Sequence, residues 1–280
     1  MTVSSLTSSR VTENTLNFLK PTSPRPDLPL FLFLPGMDGT GQLFNVQIPR
    51  LMDAFEIRCL TIPKTDQSDW ETLAKKTIDL IEVERQANPK REIYLCGESF
   101  GGCLALLVAI VAPEWFSRLI LVNPASSFKQ RPWLRWGSYL TQWLPDWFYP
   151  GSVIGLLPFL ASLGRIEASE RQALLAAMNS VPKETSAWRL ELLQGFKPKE
   201  SHLREINIPV LVIASGADRL LPSVLEGQFL TQTLPNAQMV VLPDSGHACL
   251  LENDIDLYTI IQAYCASEES DRLVQYQTEF

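Results

Sequence analysis

Short, unbroken apolar runs alternate with longer segments of helical periodicity along most of this chain. That alternation limits the available folds more than any other feature. Leu30-Phe31-Leu32-Phe33-Leu34, Glu56 to Ile62, Ile93 to Cys96, Leu119 to Val122, Val210 to Ala214 and Met239 to Leu242 read as strands. Asp69 to Arg85 carries Leu73, Ile78 and Ile81 at helical spacing, with Asp69 placed to cap the first turn. Phe100 to Val111 reads as a strongly apolar helix. A strand with no polar alternation is buried on both faces, which a parallel sheet flanked by helices provides. The expected fold class is therefore α/β, a mostly parallel sheet with helices on both faces. Ligands of such sheets bind beyond the carboxyl ends of the strands. That rule singles out Pro35-Gly36, Gly97 to Ser99, Asn123-Pro124, Ser215 to Asp218 and Pro243 to His247.

The alternation breaks between Ser126 and about Lys199. No strand is evident there, Ala168 to Met178 and Glu184 to Leu193 read as helices, and four of the seven tryptophans (Trp133, Trp136, Trp143, Trp147) are concentrated in its first part. The expected organisation is a lead-in over residues 1–28, a core over 29–125 and 200–268, a helical cap over 126–199, and a tail over 269–280. A length of 280 residues suits one such domain with an insertion. With 46% hydrophobic and 20% charged residues the composition is that of a soluble globular protein. The net charge of -7 argues against nucleic acid as a partner. The five cysteines form no CxxC pair, so no zinc or thioredoxin-type site is expected, and reduced core thiols are the simplest reading. Residues 1–28 lack an apolar signal region, and Val153 to Leu163 is interrupted by Gly155 and Pro158 and too short to span a bilayer. The expectation is a cytoplasmic protein whose closest approach to a membrane is peripheral contact.

The run Gly97-Glu98-Ser99-Phe100-Gly101-Gly102 places a serine between glycines directly after a strand and before a helix. A serine hydroxyl becomes a nucleophile only when an oriented base takes its proton. The chain has two histidines. His202 lies in a polar connector, whereas His247 follows the last strand and stands at the carboxyl edge of the sheet, so His247 is the candidate base. Asp218, in Ala214-Ser215-Gly216-Ala217-Asp218, is the favoured acid, with Asp244 as its rival. Ser99, Asp218 and His247 then follow the chain order nucleophile, acid, base, as in an α/β-hydrolase whose GxSxG forms a strained elbow. The tetrahedral intermediate of such chemistry needs an oxyanion hole. Its expected donors are the N–H of Phe100, at the start of a helix, and that of Met37 in Leu34-Pro35-Gly36-Met37-Asp38-Gly39-Thr40-Gly41. Asp38 reads equally as an organiser of that loop or as a plain turn residue. Glu98 is expected to point away from the elbow serine. No metal and no organic cofactor is implied.

That loop, the run Ile93 to Leu106, the stretch Asn123-Pro124-Ala125-Ser126-Ser127-Phe128 and the segment Ala214 to Pro222 together resemble the hydrolase half of the plastid phytyl ester synthases. These are esterase/lipase/thioesterase-type acyltransferases acting on phytol and diacylglycerol. The resemblance covers roughly residues 30–265 and implies the same triad roles and a lipid acyl substrate. It does not carry over the second, acyltransferase-like half with its H-x-x-x-x-D motif, because His202 is followed at that spacing by Asn207 and His247 by Glu252.

The leading expectation is a serine-dependent esterase, lipase or thioesterase, or an acyltransferase, working through an acyl-enzyme on Ser99. Its substrate would be a hydrophobic acyl ester or thioester. Gly36 and the tryptophans Trp133, Trp136 and Trp143 are the candidate substrate contacts; the same aromatics read equally as the core of the cap. Lys129, Arg131 and Arg135 read either as contacts to anionic head groups or as solvated charges. Two alternatives stay open. One is another chemistry of the same triad, carbon–carbon bond hydrolysis or cofactor-free perhydrolysis. The other is a non-catalytic small-molecule binding protein on the same scaffold. Haloalkane dehalogenase and epoxide hydrolase chemistry would require Asp at position 99.

Overall fold

The computed structural model of the protein describes residues 15–130, 155 and 157–278. Its described strands form one seven-stranded sheet in the order β1-β3-β2-β4-β5-β6-β7. These are β1 (Asn17–Leu19), β2 (Leu30–Leu34), β3 (Glu56–Thr61), β4 (Ile93–Glu98), β5 (Arg118–Val122), β6 (Val210–Ser215) and β7 (Ala237–Leu242). All neighbouring pairs are parallel except β1 on β3. From β2 the chain leaves toward β3, and from β4 it leaves in the opposite direction toward β5. The carboxyl ends of the adjacent strands β2 and β4 therefore border the crevice where ligands of this architecture bind.

Successive residues of a strand face opposite sides of the sheet, and β2 shows why its apolar run is unbroken. Leu30, Leu32 and Leu34 pack into one core with helices α1 (Trp70–Ala87) and α2 (Phe100–Val111). Phe31 and Phe33 pack into the other, which α6 (Leu257–Thr278) closes through Leu257, Ile261 and Tyr264. Phe44 anchors this second core. It is fully buried, with its ring 4.0 Å from that of Phe33 and 5.7 Å from that of Phe31. Asp69 caps α1 as its position suggests, accepting a hydrogen bond from the Thr72 N–H. Within β3, Arg58 is buried against Glu84 and against Glu56 of the same strand, and Arg91 bonds the other oxygen of Glu56.

Three elements extend what the sequence pattern indicates. β1 is an antiparallel edge strand inside the lead-in. Helix α5 (Ser223–Thr233) follows β6, and a Cβ on its Gly227 would lie 2.5 Å from the Met239 sulfur. The missing side chain is what lets α5 lie against β7. Helix α6 continues to Thr278, through the segment read as a tail. Between β5 and β6 the described insert contains α3 (Ala168–Asn179) and α4 (Lys183–Gly195). Leu157, Ala161, Ile166 and Leu174 of the insert pack on Ala248 and Leu251 of the core. Trp133, Trp136 and Trp143 lie outside the described residues. Among the described residues no helix is long and apolar enough to cross a membrane.

Truncating a fully buried phenylalanine removes both transfer energy and packing. Phe44→Ala is expected to lower the unfolding free energy by about 3–5 kcal/mol, whereas Val83→Ala, on the exposed face of α1 (66% exposed), stays within about 0.5 kcal/mol. Urea titrations of the two variants beside the parent chain measure this; equal midpoints for both would disprove it.

Candidate active site

β4 ends at Glu98 and α2 begins at Phe100, so one residue makes the turn between them. That residue, Ser99, has φ 54° and ψ -113°, a conformation that costs a non-glycine residue about 1–3 kcal/mol. Hydrogen bonds to both sides hold it. The Ser99 N–H donates to the Val122 carbonyl (3.0 Å), and the Ser99 carbonyl accepts from the N–H groups of Gly102 and Ala125 (3.0 Å each). The flanking glycines serve a different end from the one their presence suggests. Neither Gly97, Gly101 nor Gly102 has positive φ. A Cβ on Gly101 would instead sit 2.0 Å from the Leu34 carbonyl oxygen, and one on Gly97 would sit 2.3 Å from that of Gly101. Strain rests on the serine, and the glycines make room for the backbones that enforce it.

The hydroxyl so presented meets an unbroken relay. His247 Nε2 lies 2.9 Å from Ser99 Oγ, and His247 Nδ1 lies 2.8 Å from Asp218 Oδ2. The side chains of His247 and Asp218 are 5% and 1% exposed. Asp218 is fixed in turn, its Oδ1 accepting from the N–H groups of Leu220 and Leu221 and its Oδ2 from the Ser223 hydroxyl. Burial opposes its charge, but the neighbouring imidazole and these donors outweigh burial and hold the carboxyl below its ordinary range. Burial likewise opposes an imidazolium at position 247. The charge and hydrogen bond of Asp218, with a contribution from Glu98, reverse this and raise the histidine above its ordinary value. The rival acid Asp244 is exposed and bonds the ring nowhere among the described residues.

Two residues that sequence reasoning did not assign hold the histidine loop. Asn123, fully buried at φ 42°, donates from Nδ2 to the His247 carbonyl (2.7 Å) and to Ser215 Oγ (2.8 Å). Its Oδ1 accepts from the Ser215 N–H. The ends of β5 and β6 and the base loop are thereby joined at one amide. Its position at a strand end was a usable signal. Glu252 left none in the sequence: wholly buried, it accepts from the Gly246 N–H (2.8 Å) and from Arg165 of the insert (2.6 Å).

Opposite the relay lies the loop after β2. Gly36 is so close that a Cβ there would be 3.9 Å from the Ser99 Cβ. The Met37 N–H donates to no backbone acceptor among the described residues. The Phe100 N–H is the first of α2 and has no acceptor within the helix. Asp38 organises the loop by accepting from the N–H and hydroxyl of Thr40; burial nevertheless holds its pKa above the ordinary value. Glu98 flanks the serine at the end of β4. Desolvation pushes its carboxyl up to about 7, against the opposing charge of His247 and with that of Asp38. A pocket of about 280 Å³ opens beside the relay, walled by Phe159, Leu163 and Ser162 of the insert and by Ala217, Arg219 and Gly246 of the core. Among the described residues no cluster of three or more His, Cys, Asp or Glu side chains is arranged to hold a metal.

Comparison with known proteins agrees with this architecture. Residues 63–254 match the family described as serine aminopeptidase, S33. Phytyl ester synthase 1, chloroplastic, of Arabidopsis thaliana is 35% identical over 262 residues, 85% of this chain. The chain spans only 37% of that relative's length. A pimeloyl-[acyl-carrier protein] methyl ester esterase of Nitrosomonas europaea is 30% identical over 56% of this chain and 65% of its own. Among solved structures, MenH from S. aureus superposes with a TM-score of 0.73 at 18% identity, covering 91% of this chain and 99% of that one, which speaks for the fold alone. With the matched region running from the end of β3 past the base loop, the chain belongs to the serine aminopeptidase S33 family of α/β-hydrolases.

Proposed function

We propose that this protein is a serine-dependent hydrolase of hydrophobic acyl esters or thioesters, with Ser99 as nucleophile, His247 as general base and Asp218 as the acid that orients it. The observation that carries this reading is the unbroken chain from Ser99 Oγ through His247 to Asp218, at a serine held in a strained turn. Ser99 Oγ attacks the acyl carbonyl carbon and its proton passes to His247 Nε2. Asp218 stabilises the imidazolium that forms. The carbonyl electrons move to oxygen, where the N–H groups of Met37 and Phe100 receive the negative charge. Collapse breaks the bond to the leaving alkoxide or thiolate, which takes the proton from His247. The acyl-enzyme is then attacked by water, or by an alcohol in a transfer reaction, that His247 deprotonates in the same way; collapse of this second intermediate breaks the Ser99 Oγ–acyl bond, Oγ regains the proton from His247, and the acid or the new ester leaves. Gly36 keeps the approach to Ser99 open.

The hydrophobic acyl class is supported by the relatives, whose names specify a phytyl ester synthase and a methyl ester esterase. Contact of Trp133, Trp136 and Trp143 with the acyl chain belongs to this proposal. A fluorophosphonate probe is expected to label the parent chain and not Ser99→Ala. Among p-nitrophenyl esters, rates are expected to rise from acetyl toward long acyl chains, and to fall about 10⁴-fold or more in Ser99→Ala, which keeps its fold. Labelling of both proteins, or undiminished turnover by Ser99→Ala, would overturn the mechanism. A folded, unlabelled parent chain would favour the non-catalytic binding protein.

The electrostatics give a second expectation. The base works only when neutral, so kcat/KM falls on the acid side as pH drops through the pKa of His247, which lies above the ordinary value. The negative charge of Glu98 stabilises the imidazolium and contributes to that elevation. Glu98→Gln therefore moves the acid limb of the kcat/KM profile to lower pH. An unmoved or upward-shifted limb would disprove the coupling.

A further inference from the structure

The insert sends a buried cation into the loop opposite Ser99. Arg189 lies on α4 and is 1% exposed, the largest of the fully buried side chains among the described residues. It does not end on a carboxylate. Its Nη1 donates to the Met37 carbonyl (2.6 Å) and its Nη2 to the Pro63 carbonyl (3.0 Å), so one planar fork bridges the loop after β2 and the segment after β3. The fit is close: a Cβ on Gly39, itself at φ 69°, would lie 2.9 Å from Nη1. On its own the helix is well docked. Trp188 Nε1 donates to the Ser68 carbonyl (3.1 Å), and Trp70 Nε1 donates back to the Leu192 carbonyl (2.9 Å). Docking of α4 therefore does not require a guanidinium at 189. Burial works against the charge, and Asp38 and Asp66 offset it.

We infer that Arg189 is a positioning residue for the oxyanion donor at Met37. The inference rests on the acyl-transfer reading above. Met37 contributes two adjoining peptide units that share its Cα: the N–H offered to the oxyanion belongs to one and the carbonyl held by Arg189 to the other. The turn has internal bonds, from Gly39 N–H to the Gly36 carbonyl and from Thr40 N–H to Asp38. None of them restrains the Met37 carbonyl. From outside, the Ile62 N–H holds the Gly39 carbonyl (2.8 Å) on the far side of the turn, which leaves the Met37 carbonyl, beside the flexible Gly36, to be fixed separately. Arg189 does so from the insert, and thereby makes the donor's direction depend on a helix far along the chain. A donor displaced by about 1 Å loses most of its effect on the transition state and little of its effect on the bound ester.

The test compares Arg189→Lys and Arg189→Met with the parent chain, with every rate divided by the number of sites titrated by fluorophosphonate, so that misfolded protein does not enter. The lysine variant keeps the charge and the fold but reaches only one carbonyl. Three quantities are read: kcat, KM, and the inhibition constant of an alkyl trifluoromethyl ketone, which places an oxyanion at the donors. The expected result is a fall in kcat of about 10–100-fold in Arg189→Met, a smaller fall in Arg189→Lys, and KM within about 3-fold of the parent value. The ketone is expected to weaken in step with kcat/KM. Variants that equal the parent chain per titrated site, whatever their melting temperatures, would reduce Arg189 to a packing role and overturn the inference while leaving the proposed function intact. A fall in kcat with unchanged ketone affinity would overturn it as well. A parent chain as inert to fluorophosphonate as Ser99→Ala would remove the acyl-transfer reading itself, and the inference with it.

Discussion

A serine whose backbone is forced into positive φ is the constraint around which the rest of this molecule is arranged. The strain persists because three backbone hydrogen bonds and two glycine contacts leave the chain no relaxed alternative. Gly101 must be bare for α2 to reach Leu34, and Gly97 must be bare for β4 to pass beneath Gly101. The same short turn aims the hydroxyl out of the sheet and starts a helix whose first N–H, that of Phe100, has no acceptor within the helix. The placement of the Ser99 hydroxyl and of the Phe100 N–H thus follows from one local geometry, at the crevice between β2 and β4 that the strand order creates.

The relay adds groups from β6 and β7, and its electrostatics follow from burial. A histidine this enclosed would ordinarily lose its affinity for a proton. Asp218 prevents that, and stays ionised itself because three donors and the ring compensate for its own burial. Asn123 and Glu252 then fix the main chain on which the ring is carried. The insert takes part on both sides. Arg165 bonds Glu252 beneath the histidine loop, and Leu160 accepts from the Ala248 N–H just after it.

Much of this was legible in the residues because the physics was local. Leu30–Leu34 is unmistakably a strand buried on two faces, Asp69 is a cap at the right distance from Thr72, and GxSxG between a strand and an apolar helix allows few readings. His247 was reachable by position and near-elimination, since the chain offers only two histidines, and Asp218 was favoured over Asp244 for its small-residue loop after a strand. What escaped was contact between distant segments. Helix α5 has a weak apolar stripe, its buried face being made of Ser223, Glu226, Gly227 and Leu230, so periodicity did not announce it. Glu252 looks like any surface glutamate until the fold buries it beside Gly246. Even the elbow was legible only in outline, as its glycines turn out to yield space and not torsional freedom.

The relay joins residues 148 and 29 positions apart, and the insert lies in the longer of those gaps. Ser99 and the loop after β2 precede the insert, and Asp218 and His247 follow it. Bringing residues 148 positions apart together carries a loop-closure cost, which the sheet and the packed insert offset in the folded molecule. The contact between Ser99 and His247 therefore depends on the whole domain being folded. Opening the β6–β7 end alone would leave the strained turn at Ser99 in place and take the imidazole away from it.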